Sequence, residues 1–176
     1  VLGPLLFLIS MNDIKNSLIH GKCICFVDDT TIYYQHENIN QLYTNIKEDI
    51  ASITDWMKAN KLFFNISKTK YILFKSNTRK EIIYQDIMLG NEKIERVQNM
   101  KFLGIHFDED LNWNQHVSML LNKIRQCKFI FRKTKYFDSF TKYKLYMAYI
   151  NSHIIYGINI WGPMLTDTQK NKLRYM

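Results

Sequence analysis

The sequence predicts an α+β fold in which a mixed layer of strands and helices is followed by a segment of helices alone. Apolar, β-rich runs and one amphipathic helix fill the first part of the chain, whereas helical periodicity dominates from residue 114 onward. Hydrophobic residues make up 47% of the 176, and only two residues are proline. A chain of this length and composition can bury a core, which excludes a disordered tail or a flexible linker.

Two helices are predicted in the first part of the chain. Pro4 suits the first turn of one helix, which we expect to end near Ser17. Asn38 can cap the second, whose apolar residues follow the i, i+3, i+4, i+7 spacing as far as Asn60. These apolar residues are Ile39, Leu42, Tyr43, Ile46, Ile50, Ile53, Trp56 and Met57.

Two neighbouring carboxylates stand between two predicted strands. Residues 23–27 are apolar on both alternating faces, which predicts a strand covered on both sides, and residues 30–34 predict a second strand. Asp28 and Asp29 at the turn break the preference for Asn-Gly or Asp-Gly. Adjacent carboxylates repel each other unless a cation neutralises them, and Mg²⁺ suits such ligands. A simple polar turn is the alternative.

Further strands are expected at residues 62–64, 71–74 and 101–107, the last with Gly104 in its middle. Gly90-Asn91, between residues 87–89 and 93–95, predicts a hairpin turn. After these strands the pattern is helical throughout.

Helices are expected at residues 114–135 and 141–156, and a third begins after Gly162-Pro163. We therefore divide the chain into an α+β part, residues 1–110, and a helical part, residues 111–176.

The basic excess lies almost entirely in the C-terminal half. The formal charge is +8, of which residues 1–98 contribute +1 (12 basic, 11 acidic) and residues 99–176 contribute +7 (12 basic, 5 acidic). This asymmetry suggests a polyanionic partner such as nucleic acid, although excess lysine also solvates ordinary surfaces.

A basic stripe at helical spacing marks the first C-terminal helix, beside an apolar stripe along which the helix can pack. Nearby segments interleave lysines with aromatic rings, as proteins that bind single strands do, or as a core with lysines outside does. The basic stripe comprises Arg125, Lys128, Arg132 and Lys135, and the apolar stripe Val117, Leu120, Ile124, Cys127 and Phe131.

From the sequence we expect neither a membrane anchor nor a disulfide framework. Its first nine residues are apolar but too short to span a bilayer. Three cysteines are an odd number, which favours reduced, buried thiols in an intracellular protein. A zinc site at His20, Cys23 and Cys25 lacks the usual Cys-x-x-Cys spacing and a fourth ligand.

Several sequence motifs occur in a fixed order along the chain. Phe26-Val27-Asp28-Asp29 resembles the (Y/F)xDD box of reverse transcriptases, and its surroundings resemble the non-LTR retrotransposon branch, jockey-like elements especially. The other matching residues are Leu2 to Phe7 and Asn12-Asp13; Trp56, Asn60, Leu62, Asn65, Lys68 and Thr69; Phe102 to Ile105, Phe107-Asp108, Leu111, Trp113 and His116; and Leu145-Tyr146, Ala148, Ser152, Tyr156-Gly157 and Trp161-Gly162.

The resemblance implies a partial polymerase palm, an antiparallel sheet with helices, over residues 1–110. Residues 111–176 would then form a truncated, all-helical thumb. The implied activity is RNA-directed DNA polymerisation, which is two-metal nucleotidyl transfer to a primer 3′-hydroxyl with Mg²⁺ or Mn²⁺. The implied partners are an RNA template, a DNA primer and dNTPs, and the implied location is the nucleus.

Carried over position by position, Asp28 and Asp29 would bind the catalytic metal. Lys68 would act near the leaving phosphates as a general acid, or would be an ordinary solvated lysine. Phe102, Leu103 and Gly104 would form the primer grip, with the glycine allowing close approach of the primer. The basic stripe would contact the template and primer, while Trp113 and His116 would have packing roles.

The family's first catalytic aspartate lies upstream of the LGPLLF motif. We therefore expect the 176 residues alone to be inactive, because two of three carboxylates cannot hold both metals. A non-catalytic nucleic-acid-binding remnant of a degenerate or domesticated element is the second interpretation. An unrelated α+β domain with a fortuitous Asp-Asp turn is the third.

Overall fold

The computed structural model describes residues 2–27, 29–75 and 83–174, without the side chain of Lys128. The chain divides into two compact units. The first contains Val1–Tyr71 and Arg79–Arg96, and the second contains Ile72–Thr78 and Val97–Met176. Helices and short strands occur together, so the predicted α+β class is confirmed. The division into palm and thumb at residue 110 stays a prediction.

The first unit consists of short helices and strands around one long helix. In chain order its described elements are α1 (Leu2–Met11), a 3₁₀ helix (Ile14–Ser17), β1 (Lys22–Phe26), β2 (Asp29–Tyr33), α2 (Ile39–Ala59), β3 (Lys70–Tyr71), β4 (Met88–Leu89), β5 (Glu92–Lys93) and β6 (Glu95–Arg96).

Helix α2 forms as the sequence predicts. The Oδ1 atom of Asn38 accepts hydrogen bonds from the backbone N–H groups of Asn40 at 2.9 Å and Gln41 at 3.4 Å, which satisfies two unpaired donors of the first turn. Its apolar face buries Tyr43 in a cluster with the three apolar residues Ile87, Leu89 and Ile94 of the β4–β5 region. Gly90, with φ of +63°, makes the predicted hairpin turn between β4 and β5.

Helix α1 is shorter than the expected helix to Ser17. It ends at Met11, and the 3₁₀ helix follows after a turn. No residue of α1 is buried, and Leu5 and Ile9 on its expected apolar side are 55% and 64% exposed. Packing within the described chain therefore does not hold α1 to the predicted length.

The strands of the first unit pair in twos. β1–β2 and β4–β5 are antiparallel, whereas β3 pairs with β6 in parallel. The strand predicted at residues 62–64 is absent, and the one predicted at 71–74 is reduced to β3. The reason is local, because the backbone N–H of Leu62 still bonds to the carbonyl oxygen of Met57 and Phe63 is 92% exposed.

The second unit combines one hairpin with a group of helices. In chain order its described elements are β7 (Asn99–Phe102), β8 (Ile105–Asp108), α3 (Asn114–Lys133), α4 (Ser139–Tyr146), a π-helix (Met147–Asn151), α5 (Ser152–Ile155), α6 (Ile158–Trp161), a 3₁₀ helix (Gly162–Met164) and α7 (Asp167–Arg174).

Two sequence predictions for this unit change in detail. The strand expected at residues 101–107 is the antiparallel hairpin β7–β8, and Gly104 lies in its turn rather than mid-strand. The helix expected at 141–156 starts at Ser139 and contains the π-helical turn. It starts earlier because the Asp138 carboxylate accepts the backbone N–H groups of Phe140 and Thr141, at 3.0 and 3.1 Å.

The core of the second unit contains two fully buried tryptophans. Trp113 and Trp161 are each 1% exposed, and the other buried members are Ile105, Val117, Leu120, Leu121, Ile124 and Leu165. Three of the five residues in the predicted apolar stripe of α3 are thus buried, and the other two are half-buried.

Candidate active site and nucleic-acid interface

The β1–β2 hairpin presents Asp29 next to its turn. Phe26 pairs with Asp29, so Asp29 already belongs to β2. The expected turn at Asp28 and Asp29 is therefore wrong by one residue for Asp29, while Asp28 itself lies outside the described residues. Val27 adopts a φ of +55°, which is strained for a β-branched residue.

The hairpin is exposed on both faces within this chain. Ile24 and Phe26 are 45% and 56% exposed, and Cys25 is exposed as well. The prediction of a doubly covered strand with buried thiols is wrong for the described chain, because no layer of this unit packs over these side chains. Asp29 is likewise exposed, so its carboxylate is accessible to ligands.

A buried carboxylate fixes the base of this hairpin. Asp49 on α2 is 0% exposed and accepts backbone N–H groups of the segment that leads into β1. Its Oδ1 accepts Ile19 N at 2.8 Å, its Oδ2 accepts Gly21 N at 2.7 Å, and His20 N lies 3.2 Å from both oxygens. α2 therefore sets the position from which the hairpin projects.

Tyr34, directly after β2, lies beside the Asp49 carboxylate. Burial, and after it the neighbouring Asp49 carboxylate, raises the pKa of the Tyr34 phenol. A Cβ at Gly21 would lie 2.6 Å from the Tyr34 ring, so only glycine fits under the ring at this position. Sequence reasoning missed Asp49 because an acidic residue within an amphipathic helix looks like part of its solvated face.

Lys68 lies in an exposed turn of the first unit. The Oδ1 atom of Asn65 accepts the Ser67 hydroxyl at 2.7 Å and the Lys68 N–H at 3.3 Å, and the Asn65 carbonyl accepts the Thr69 hydroxyl at 2.9 Å. The spacing of Asn65, Lys68 and Thr69 thus has a structural reason, which is the formation of this turn. Lys68 itself is exposed.

The expected primer grip is the β7–β8 turn. Leu103 and Gly104 have φ of +45° and +85°, as a two-residue hairpin turn of the primed type requires. The Tyr156 hydroxyl donates to the Leu103 carbonyl at 2.6 Å, and a Cβ at Gly104 would lie 3.2 Å from the Tyr156 ring. Within this unit, the group that approaches Gly104 closely is the Tyr156 ring.

The remaining family motifs hold this hairpin against the helices. The Asp108 carboxylate, 7% exposed, accepts the N–H groups of Asn112 at 2.7 Å and Trp113 at 2.9 Å and so positions the start of α3. His116 accepts the N–H of His106 at Nδ1, 3.4 Å away, and its ring lies 5.1 Å from that of Trp161. The packing role predicted for His116 and Trp113 therefore matches their surroundings.

Burial lowers the pKa of His116, and the nearby His106 and Lys123 lower it further. The pKa of His106 is lowered too, first by burial and then by Lys101 and Lys123. Both imidazoles therefore resist protonation in the folded unit.

The basic stripe is only partly helical. Arg125 and Arg132 are exposed on α3, whereas Lys135 follows the end of the helix at Lys133. Arg125 donates to the Asn122 side chain at 3.2 Å. Lys128 lies on α3 between the two arginines, and its side chain is outside the described part of the structure.

The next question is whether described side chains lie close enough together to hold a metal ion. No cluster of three or more His, Cys, Asp or Glu side chains able to hold a metal occurs in the part of the chain that the structure describes. The zinc alternative at His20, Cys23 and Cys25 gains no support, since the His20 ring bonds to Glu48 at 2.7 Å. Asp29 and Lys68 lie in the first unit, and the grip and stripe residues lie in the second.

Similarity to known proteins defines the class. A family model described as reverse transcriptase (RNA-dependent DNA polymerase) matches residues 1–107. The chain belongs to the reverse transcriptase family. Among relatives, the probable RNA-directed DNA polymerase from transposon X-element of Drosophila melanogaster is 21% identical over 170 residues, which cover 92% of this chain and 18% of that protein.

The RNA-directed DNA polymerase from mobile element jockey, also of Drosophila melanogaster, is 19% identical over 187 aligned positions, covering 100% of this chain and 20% of that protein. The expected resemblance to jockey-like, non-LTR elements is thereby confirmed. The chain spans about a fifth of the length of these curated relatives. No solved structure matches it.

None of the helices in the described ranges is both long and apolar enough to cross a membrane.

Proposed function

We propose that this chain forms part of an RNA-directed DNA polymerase that extends a DNA primer on an RNA template. The observation that carries the proposal is the family match over residues 1–107, which includes the hairpin that presents Asp29 at its exposed tip. The ordered motifs of both units agree with it. We further propose that the reaction takes place in the nucleus, because reverse transcription primed at its DNA target would occur there.

Asp28 and Asp29 would hold a divalent cation. The exposed Asp29 carboxylate forms no ion pair with any described residue, and it is a hard oxygen ligand of the kind that Mg²⁺ or Mn²⁺ takes. A bound cation would neutralise the phosphates of the incoming dNTP and lower the pKa of the primer hydroxyl. Asp49 supports this site indirectly, since it fixes the base of the hairpin.

Other residues would position the substrates. The exposed ammonium of Lys68 would donate a proton or a hydrogen bond to the leaving phosphates. Phe102, Leu103 and Gly104 would support the primer end, and Arg125, Lys128, Arg132 and Lys135 would neutralise template and primer phosphates.

In the resembled family the first catalytic aspartate lies upstream of the LGPLLF motif. We therefore propose that the 176 residues alone do not extend primers, and that an upstream segment that supplies this aspartate is needed for activity.

A second candidate is nucleic-acid binding without catalysis. The charge of +7 over residues 99–176 favours it, because that charge requires no metal to act. Such a protein would be a remnant of a degenerate or domesticated element.

The test is dNTP incorporation on an RNA template with a DNA primer in Mg²⁺ or Mn²⁺. We would compare the chain alone, the upstream-extended form, and the extended form carrying Asp29→Asn or the matched control Asp55→Asn. Asp55 is an exposed carboxylate on α2, and Lys58 lies 3.4 Å from it.

We expect activity in the extended form and in its Asp55→Asn variant, and a loss of at least about a hundredfold in Asp29→Asn. Silence of the extended form, with duplex binding retained, would favour the second candidate. Extension by the chain alone would show that two carboxylates suffice.

A further inference from the structure

The turn between α3 and α4 presents aromatic rings and cations together. We define residues 129–144, the end of α3, the turn and most of α4, as the helical tip. It contains six aromatic, five basic and one acidic residue, hence a net charge of +4. The aromatic residues are Phe129, Phe131, Tyr136, Phe137, Phe140 and Tyr143, and the basic ones Arg132, Lys133, Lys135, Lys142 and Lys144.

Five of the six rings of the helical tip are exposed to solvent, three of them by more than 60%. Tyr136 is 91% exposed, and Phe129 and Phe140 are each 64% exposed. Rings in a core would not have this exposure, so the alternative of a core with lysines outside is wrong for these three. Exposed rings at this density mark an interaction surface.

Each of these three most exposed rings has a lysine beside it. The Lys144 Nζ lies 4.2 Å from the centroid of the Phe140 ring, and the Lys133 Nζ lies 5.6 Å from that of Phe129. Both pairs have i, i+4 spacing on a helix. Lys135 in the turn lies 6.0 Å from the Tyr136 ring. Cation and π-face are thus offered side by side three times.

The backbone of the tip is well fixed. Thr134 caps α3, and its carbonyl accepts the Phe137 N–H at 3.0 Å. Lys142 Nζ bonds to the Lys135 carbonyl at 3.3 Å, which joins α4 to the turn. Cys127 Sγ on α3 bonds to the Tyr149 carbonyl at 3.4 Å and so links α3 to the π-helix that follows α4. These hydrogen bonds fix the backbone from which the rings project.

The charges of the tip are not neutralised from within. The carboxylate of Asp138 is used as the N-cap of α4, and its hydrogen bonds with Thr141 lower its pKa. Within the described ranges, none of the five cations forms an ion pair with a carboxylate. A polyanion with flat, unpaired bases complements this surface in both charge and shape.

We propose that the helical tip binds unpaired nucleotides of single-stranded nucleic acid, with bases stacked on Phe129, Tyr136 and Phe140 and phosphates held by the adjacent lysines. Base-paired duplexes cannot use the rings, since their bases already stack on one another. The site needs neither a metal nor Asp28 and Asp29, so it stands or falls separately from the polymerase activity.

The test uses the 176-residue chain in EDTA, with fluorescence anisotropy of a labelled oligouridylate RNA, an oligothymidylate DNA and a blunt duplex. The ring variants are Tyr136→Leu and Phe140→Leu, with Phe63→Leu as the matched control, since Phe63 is an exposed ring of the first unit. The charge variants are Lys133→Gln and Lys144→Gln, with Lys58→Gln as the control.

We expect each ring variant to bind both single strands roughly tenfold more weakly with an unchanged salt dependence. Each charge variant should reduce the slope of log affinity against log salt by about 0.7, the value for one phosphate contact on a single strand. The control variants should bind single strands as tightly as the unsubstituted chain does. Duplex binding should not change in the ring variants. Tighter binding of RNA than of DNA, or the reverse, would assign the strand.

Equal single-strand affinity in Tyr136→Leu, Phe140→Leu and Phe63→Leu would overturn the proposal and leave a purely electrostatic surface. Self-association of the chain that Phe140→Leu abolishes, with single-strand binding intact, would instead assign the rings to a protein contact and overturn it as well. Circular dichroism of every variant establishes that the exposed substitutions leave the fold unchanged.

Discussion

Asp49 shows how one buried side chain can determine the position of a distant site. Its carboxylate is hydrogen-bonded to three consecutive backbone N–H groups, and these groups belong to the segment that starts the Asp-Asp hairpin. A buried carboxylate is tolerated only where its oxygens are satisfied in this way. The metal-binding positions proposed for this hairpin thus depend on Asp49, which lies on α2 and contacts the base of the hairpin.

Asp49→Asn should destabilise the protein by about 1–3 kcal/mol, because one side-chain acceptor becomes a donor that faces backbone N–H groups. Urea unfolding followed by circular dichroism measures the change. Asp55→Asn, an exposed change on the same helix, should cost less than about 0.5 kcal/mol. Equal effects of the two substitutions would show that the Asp49 hydrogen bonds contribute no stability.

Gly157 is a second residue whose environment fixes its identity. It has a φ of +63°, and an added Cβ would overlap with Cδ1 of Ile105. Gly157→Ala should therefore destabilise the protein by about 2–4 kcal/mol, through backbone strain together with overpacking.

Gly90→Ala separates the two causes of that loss. Gly90 has the same φ of +63°, and nothing lies within 4 Å of an added Cβ, so only the backbone cost of about 1–2 kcal/mol should remain. Urea unfolding of both variants gives the comparison. If Gly157→Ala proved no worse than Gly90→Ala, close packing against β8 would not be the reason for glycine at 157.

At the scale of elements, α3 meets the β7–β8 hairpin through His116. The buried ring accepts the His106 N–H and contacts Trp161, while Lys123 and His106 are the cationic groups that oppose its protonation. The folded pKa of His116 lies below its unfolded value of about 6.5. The unfolded chain therefore binds the proton first as pH falls.

The stability of the second unit should be greatest above about pH 6.5, the pKa of an unfolded histidine, and should fall as pH is lowered below that value. Tryptophan emission in a Trp56→Phe background reports this unit, since Trp113 and Trp161 then remain as the emitters. The urea midpoint should decrease as the pH is lowered, and His116→Gln should weaken that dependence. An exposed control, His36→Gln, should leave it unchanged.

If the pH dependence were identical with and without His116→Gln, the buried imidazole would not be its source. His106 would then be the next residue to replace, because burial lowers its pKa too.

At the scale of the whole molecule, charge is distributed unevenly between the two halves of the sequence. The C-terminal part contributes +7 of the total of +8, and Arg125 and Arg132 are exposed on one helix. A surface of this kind binds phosphate backbones without reading sequence, and its affinity decreases with salt.

Arg125→Gln and Arg132→Gln should each weaken binding of a blunt RNA–DNA duplex uniformly across sequences, with the salt slope reduced by about 0.9. Anisotropy titrations at several salt concentrations measure both quantities. Lys58→Gln, an equal change of charge in the first unit, should leave the slope unaltered. A slope that falls as much in Lys58→Gln would indicate a diffuse effect of net charge.

Local patterns in the sequence were sufficient for the elements that depend on neighbours along the chain. The cap at Asn38, the apolar periodicity of α2 and the turn at Gly90 all involve residues within a few positions of one another, and each forms as predicted. The same holds for the α+β class and for the motifs, whose order identified the reverse transcriptase family before any contact was known.

Only the tertiary structure decided which residues meet across long separations. Asp49 bonds to a segment 28 to 30 positions away, and Tyr156 bonds to the Leu103 carbonyl from 53 positions away. Where the sequence predicts one continuous strand, the structure has a turn at Gly104 that Tyr156 contacts. Asp49, which the sequence does not single out, holds the base of the β1–β2 hairpin. Periodicity records only the faces that are apolar, whereas burial of a polar group depends on the partner that the fold brings to it.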